Sequence, residues 1–536
     1  MGQRGQHEWC PAVTNGIASP IPLLFSAVLT LTSGCHDKTG GSGDSNSDTQ
    51  DSGLGADLDG DGWTAAQGDC DDTQAAVSPG GTEVMGDGID QNCDASDAAP
   101  VADLSDAEGV WYGVSRSGLA GWATTIVNDV DSDGLDDILV GAPAGRQDWA
   151  EEGRAYLLYG PATVVGELIE ADIQLHAESG FDTYGSALAS VGDGNGDGWG
   201  DVVIGAPANP EGGIQAGAVY LGLGPDLESQ ILLLGSDGRA TATALAAHFD
   251  LDGDGIQDVH VGSPSVGNSS PGRTDVILGP FSTEMLTLDD TDVSLTGESV
   301  LDYAGQSVAA GDMNGDGYGD LAVGAPISDM DGDMAGRAYV IFGPRFGSLS
   351  LADADAILSG ETVGAEAGVA MACAADLDGD EADDLMIGAH LDEDAGDRAG
   401  KVYLLYALST GSRALADSDA IFVGETTHEM VGLRLAATTM ADGAGALLVS
   451  APRDLYATGG YPGKVYLFDG LLAGDLSIAD VSLVYAGTSP NEAAGVGVGS
   501  GGDVNGDGSE DIVVGAPYNG VGAEEGGAVY ISLGGG

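Results

Sequence analysis

Six nine-residue segments carry oxygen-bearing side chains at positions one, three, five and nine. They are DVDSDGLDD (129–137), DGNGDGWGD (193–201), DLDGDGIQD (250–258), DMNGDGYGD (312–320), DLDGDEADD (376–384) and DVNGDGSED (503–511). The donor sets are Asp129, Asp131, Asp133 and Asp137; Asp193, Asn195, Asp197 and Asp201; and Asp250, Asp252, Asp254 and Asp258. The other three are Asp312, Asn314, Asp316 and Asp320; Asp376, Asp378, Asp380 and Asp384; and Asp503, Asn505, Asp507 and Asp511. With a main-chain carbonyl at position seven, such a set can wrap one hard cation. Calcium takes about six to eight oxygens in forgiving geometry. Zinc would call for His or thiolate, and magnesium for a tighter octahedron with retained water. The expected cofactor is therefore Ca2+, with about six ions, one per loop. Asp and Gly also suit plain turns, but three or four clustered carboxylates without a counter-ion repel one another. Glycine at position six permits the sharp bend that turns the oxygens inward. Glu381 replaces it in the fifth repeat, so that loop should be strained or weaker. The matching stretch of the sixth repeat, TTMADGAGALL (438–448), keeps only Asp442 and should hold no ion.

Composition bounds the function classes. Lys and Arg number 15 against 86 Asp and Glu, a net charge of −71, which phosphate backbones would repel. Nucleic acid is excluded as a partner on this ground. A hydrophobic content of 43% speaks against wholesale disorder. No Gly-x-Ser-x-Gly elbow or His-Glu-x-x-His pattern occurs, and His428-Glu429 lacks the second histidine. The chain is read as a non-enzyme, with no catalytic residues assigned.

The loops recur because the chain repeats. Gly-Ala-Pro or a near variant follows an aliphatic strand at Gly141, Gly205, Gly262, Gly324, Gly388, Ser450 and Gly515, at intervals of 57 to 65 residues. Each unit runs in the same order. A small-residue strand comes first, then the acidic loop, then an aliphatic strand such as DVVIGAP (201–207). A polar loop follows, then a strand of the GRAYLLYG type (153–160) and a closing segment such as DAILSGE (355–361). Glycine, at 91 of 536 residues, supplies the frequent turns of many short strands. Four antiparallel strands per repeat make one propeller blade, and a closed ring hides the sheet edges. The expected fold is all-β, a seven-bladed β-propeller over 101–536, with blades starting near 121, 185, 241, 305, 368, 432 and 495. The seventh unit lacks a fourth segment, so the stretch Val101 to Val114 is expected to supply its outer strand and latch the ring.

Repeat length, acidic loop and Gly-Ala-Pro together resemble the FG-GAP repeats of integrin α-subunit propellers, from Trp111 to Gly536. The resemblance implies calcium loops on one rim and ligand-binding loops on the other. The integrin leg segments, inserted domain and membrane span have no counterpart, so heterodimer signalling does not carry over.

Ahead of the propeller, residues 56–97 hold DLDGDGWTAAQGDCDD (57–72), PGGTE (79–83) and DGIDQNCD (87–94). This resembles a metal-binding motif of secreted myxobacterial proteins. Asp57, Asp59 and Asp61 begin a calcium loop, which Asp69, Asp71 or Asp72 could complete, and Asp87, Asp90 and Asp94 could hold a second ion. One or two further Ca2+ ions are expected there. In an exported chain, Cys70 and Cys93 are the expected disulfide, a staple for a module too small to build a core. Cys373 stands alone in an apolar stretch and reads as an inert buried thiol.

Residues 1–34 read as a lipoprotein-type signal peptide. Arg4 precedes an apolar run from Ile17 to Leu31, too short to span a bilayer. Thr32, Ser33 and Gly34 before Cys35 resemble a bacterial lipobox, which makes Cys35 the lipidation site. Residues 35–55, rich in Gly, Ser and Asp, form a flexible tether. The expected location is the cell envelope, as an outer-membrane lipoprotein or at the cell surface. Contact with the membrane is through the lipid anchor alone, and the chain is secreted if Cys35 is unmodified.

Loops on a rigid scaffold are where recognition tends to reside. Those after Gly-Ala-Pro carry Arg146, Trp149, Arg453, Tyr456, Tyr461 and Tyr518, the candidate ligand face. The expected function is an adhesion or protein-binding module. The alternative is a calcium-dependent, lectin-like binder of polysaccharide, which stacking platforms at Trp149, Tyr456 and Tyr461 would favour. A hydrolase ranks third.

Overall fold

The computed structural model describes residues 101–143, 153–177, 182–227, 230–236, 238–265, 270–281, 287–374, 376–440, 444–452, 460, 462–477 and 480–534. The expectations for Cys35, for Asp57, Asp59 and Asp61, and for Cys70 with Cys93 lie outside these residues. So do those for Arg146, Trp149, Arg453, Tyr456, Tyr461 and Asp442.

Seven sheets follow one another along the chain. The second is typical. Ala187–Gly192, Asp201–Ala206, Ala218–Gly222 and Gln230–Leu234 pair antiparallel in sequence order. The second strand of each sheet is its densest part. Asp137–Ala142, Asp201–Ala206, Asp258–Ser263, Asp320–Ala325 and Asp384–Ala389 are buried at every residue. Such strands have paired neighbours at both edges and a blade against each face, which is why they read as unbroken aliphatic runs. Seven apolar clusters each join two successive blades. One of them joins Val513, Val529 and Ile531 of the last blade to Ile126, Ile138 and Val140 of the first, so the ring is closed.

The glycine of Gly-Ala-Pro is explained by this packing. A Cβ at Gly141, Gly205, Gly262, Gly324, Gly388 or Gly515 would lie 2.0–2.4 Å from a carbonyl oxygen where the next blade enters its first strand. No side chain fits at that distance. In the sixth blade Ser450 fills the position, and its Oγ accepts the N–H of Arg434 at 2.8 Å.

The closure differs in detail from the expected latch. Gly109–Tyr112 pairs antiparallel with Ala528–Ser532 as the fourth strand of the seventh blade. Val101–Asp103 instead joins the sixth blade, parallel to Leu483–Ala486. It belongs to a wider pattern. Val165–Glu167, Gly347–Ser350, Gly411–Ala414 and Gly474–Leu476 each precede the fourth strand of one blade and add a parallel fifth strand to the blade before it. After these strands a 3-10 turn drops a leucine into the core, seen at Leu104, Leu168, Leu351 and Leu415, all at most 2% exposed. Among the described residues, blades one and four to seven are thereby strapped to their predecessors, while the sheets of blades one and two end at four strands.

Candidate metal centre

The six acidic loops join the first and second strands of blades one to five and seven, and all six fold alike. The first aspartate accepts two backbone N–H groups through its two oxygens. One comes from position five at 2.8–3.2 Å, the other from position six at 2.7–2.8 Å. The fifth-position aspartate accepts the N–H of position seven through Oδ1 at 2.8–3.1 Å. These bonds curl the loop, and in the second and seventh loops Asn195 and Asn505 also donate to the other oxygen of Asp197 and Asp507 at 3.0 and 3.1 Å.

Position nine opens the second strand and is nearly sealed. Asp137, Asp201, Asp258, Asp320, Asp384 and Asp511 are 0–1% exposed. In five of them one oxygen accepts the N–H of the glycine after the third strand (Gly160, Gly224, Gly279, Gly343 or Gly534) at 2.7–3.0 Å. In four the other oxygen accepts the N–H of loop position two at 2.7–2.8 Å. Burial above all, with the neighbouring carboxylates adding to it, pushes Asp137, Asp320 and Asp384 up to about 7. It pushes Asp201, Asp258 and Asp511 up to about 6.

The residues fit a hard cation. Ligand oxygens of Asp129, Asp131 and Asp137 lie within 4.8 Å of one another, as do those of Asp250, Asp252 and Asp254 and of Asp376, Asp378 and Asp380. Oxygens of Asp201, Asn314, Asp320 and Asp384 are buried without a hydrogen-bond partner among the described residues. Buried oxygens of that kind are costly unless something positive meets them. A bound divalent ion would draw on positions one, three, five and nine of each loop and supply that charge.

The fifth loop keeps the common geometry despite its glutamate. Glu381 adopts φ 74°, close to the 88–96° of Gly134, Gly198, Gly255, Gly317 and Gly508. A left-handed backbone at a residue with a Cβ carries strain of about 1–3 kcal/mol. The same blade has Ala407 where others have the glycine after the third strand, and there Asp384 Oδ1 has no partner.

On the opposite rim the structure holds a polar layer that motif reading missed. Lys401, 3% exposed, places Nζ 2.7 Å from Glu361 and 2.5 Å from Asp394, and Tyr403 Oη donates to Glu361 at 2.9 Å. Arg337 bonds Asp331 and Glu298, and Tyr339 Oη donates to Glu298 at 3.1 Å. In blade seven, Glu492 accepts from Asn519 Nδ2 at 2.6 Å and Tyr530 Oη at 2.8 Å. The available signal was the recurring Gly-[Arg/Lys]-x-Tyr that opens the third strand. Of the candidate ligand face, Tyr518 alone is described; it is partly buried in the loop after Gly515, its N–H bonded to Glu492 O at 3.2 Å. Burial first, then the neighbouring carboxylates, holds the Cys373 thiol well above its ordinary range, as an inert group would be.

Comparisons with known proteins agree with this architecture. The FG-GAP repeat model matches residues 120–158, 304–341 and 494–532, which are blades one, four and seven from first to third strand. A metal-binding motif model of the Cu-binding MopE type matches residues 69–98, beginning after Asp57, Asp59 and Asp61. Integrin alpha-PS2 of Drosophila melanogaster is 36% identical over 163 residues, 26% of this chain and 11% of that protein. Integrin alpha-4 of Xenopus laevis is 34% identical over 153 residues, 26% of this chain and 14% of that one. Phosphatidylinositol-glycan-specific phospholipase D of Bos taurus is 31% identical over 169 residues, 29% of this chain and 20% of the enzyme. The chain thus spans a fifth or less of the length of these relatives. The chain carries FG-GAP repeats within a seven-bladed β-propeller, is similar over about a quarter of its length to integrin α-subunits, and has a MopE-like metal-binding motif at residues 69–98.

Proposed function

We propose that this protein is an exported, surface-anchored, calcium-binding propeller that acts as an adhesion or protein-binding module. The observation that carries the calcium reading is the repeated burial of the ninth-position aspartates in six loops of one form, three of which also gather carboxylate oxygens within 4.8 Å of one another. The ions serve as structural charge, neutralising one rim and leaving the other to meet a partner. The protein-binding reading draws on the likeness to integrin α-subunits. The phospholipase activity is not carried over, because the likeness covers a fifth of that enzyme.

Anchoring rests on Cys35 behind its apolar leader. Metabolic labelling with a fatty-acid probe should mark the protein and spare the Cys35→Ser variant; equal labelling of both would overturn the anchor. Binding is tested on arrays of surface proteins and glycans probed with the purified protein, with calcium and with chelator. The proposal expects protein features retained only with calcium. Retention confined to glycans would replace protein binding with the lectin-like reading.

A further inference from the structure

We propose that the cation loops are coupled in pairs around the ring by Asp136 and Asp383. These are positioning residues that hold the first ligand of the preceding loop, so that filling one loop raises the affinity of its neighbour. The inference rests on the reading that the loops hold cations. Neither aspartate belongs to the proposed ligand set, since each stands at position eight of its own loop.

Asp383 of the fifth loop grips Asp312 of the fourth from both sides. Its N–H donates to Asp312 O at 2.8 Å, and its Oδ2 accepts the Asp312 N–H at 2.8 Å. Asp136 of the first loop does the same to Asp503 of the seventh, at 3.1 and 2.9 Å. Both polar groups of one ligand's backbone are therefore taken by a single residue of the next blade. That ligand's carboxylate meanwhile holds its own loop closed, Asp312 through the N–H groups of Asp316 and Gly317.

The contact is complementary in sequence across the ring. A Cβ at Gly311, just before Asp312, would lie 2.4 Å from Cys373 Sγ and 2.7 Å from Asp383 Oδ2; at Gly502, before Asp503, it would lie 2.5 Å from Ile126 Cγ2 and 2.8 Å from Asp136 Oδ2. Where position eight is itself glycine, the facing residue has a side chain. A Cβ at Gly200 would lie 2.5 Å from Asn128 O, and one at Gly319 would lie 2.8 Å from Phe249. Those two junctions keep a single backbone bond each, Gly200 N–H to Asp129 O at 3.1 Å and Gly319 N–H to Asp250 O at 2.8 Å. In the sixth blade, where the acidic loop has degenerated, the seventh loop carries the longer Glu510 at position eight. It reaches the Thr439 N–H at 2.7 Å and Thr438 Oγ1 at 3.1 Å.

The coupling follows from order. Asp383 is flanked by Asp380 and Asp384, so a cation in the fifth loop fixes the segment that carries it. Asp312 is then already held when the fourth loop binds, and the ordering cost there is smaller. By linkage the effect is reciprocal.

Tyr318 at position seven of the fourth loop allows that loop to be read by sensitised terbium luminescence in the full chain. The fourth loop's signal is the part that Asp316→Ala abolishes. Disabling the fifth loop with Asp380→Ala, which leaves the clamp untouched, should weaken terbium binding at the fourth loop by roughly fivefold or more. With Asp383→Gly, the residue already at position eight of the second and fourth loops, Asp380→Ala should no longer change that affinity. With Asp383→Asn, whose side-chain oxygen can still accept the Asp312 N–H, the effect should return. An unchanged fourth-loop affinity in the Asp380→Ala protein would overturn the coupling. A terbium signal insensitive to Asp316→Ala would instead sink the cation reading beneath it.

Discussion

Asp129, Asp131 and their five counterpart pairs were legible because a nine-residue spacing carries their chemistry without help from the rest of the chain. Asp136 and Asp383 were not, because position eight holds Asp, Gly, Gln, Gly, Asp and Glu in the six loops and its partner lies in the preceding repeat. For Asp136 that partner is 367 residues away. The buried acids of the opposite rim were hidden for a similar reason: Glu429 and Glu492 meet Tyr466 and Tyr530 only once blades stack. Asp302 belongs to that rim. It is 2% exposed, and burial first, then the charges of Asp329 and Glu298, push its carboxyl up to about 6. Since this lies above its ordinary value of 3.8, the protonated form favours folding. The contribution is fully present below that value and is lost as pH rises through about 6. Relative to the wild type, Asp302→Asn should therefore gain stability between about pH 4 and about pH 8. Urea unfolding of both proteins at the two pH values measures this, and a constant difference would show that Asp302 does not titrate as described.

At the scale of elements, the second strands and six of the seven third strands were plain in the sequence, since their aliphatic runs end in Gly-Ala-Pro or a near variant, or begin with Gly-x-x-Tyr; the third blade has GRTD (272–275) there instead. The fifth strands were not. GSLS (347–350) and GSRA (411–414) are short, polar and without alternation, and they exist only because a neighbouring edge offers unpaired backbone. The leucines after them carry the energy of the strap. Leu351 is 0% exposed and packs against Val293, Leu295 and Tyr339, side chains of blades three and four. Leu351→Ala should cost about 3 kcal/mol. Equilibrium denaturation gives the figure, and a loss below about 1 kcal/mol would mean that the strap adds little to holding those blades together.

The described residues form a ring closed by segments from both of their ends, Gly109–Tyr112 with Ala528–Ser532, in a chain of net charge −71. Ring closure was inferable from seven equal repeats and a missing fourth segment; the division of residues 101–112 between blades six and seven was not, because nothing local distinguishes its two strands. A closed ring with six sealed aspartates on one rim has a specific weakness. Without a counter-ion, their ionisation at neutral pH opposes the fold, and every cation that binds the folded state alone adds stability. The direct test is thermal unfolding of the purified protein in calcium and in excess EGTA, with metal analysis of the same samples. Calcium binding at the six loops predicts about six bound ions beyond the one or two expected at residues 56–97, and a melting temperature lowered by about 10 °C or more on chelation, restored when calcium is returned. A melt unchanged by EGTA, with no calcium found in the protein, would contradict it.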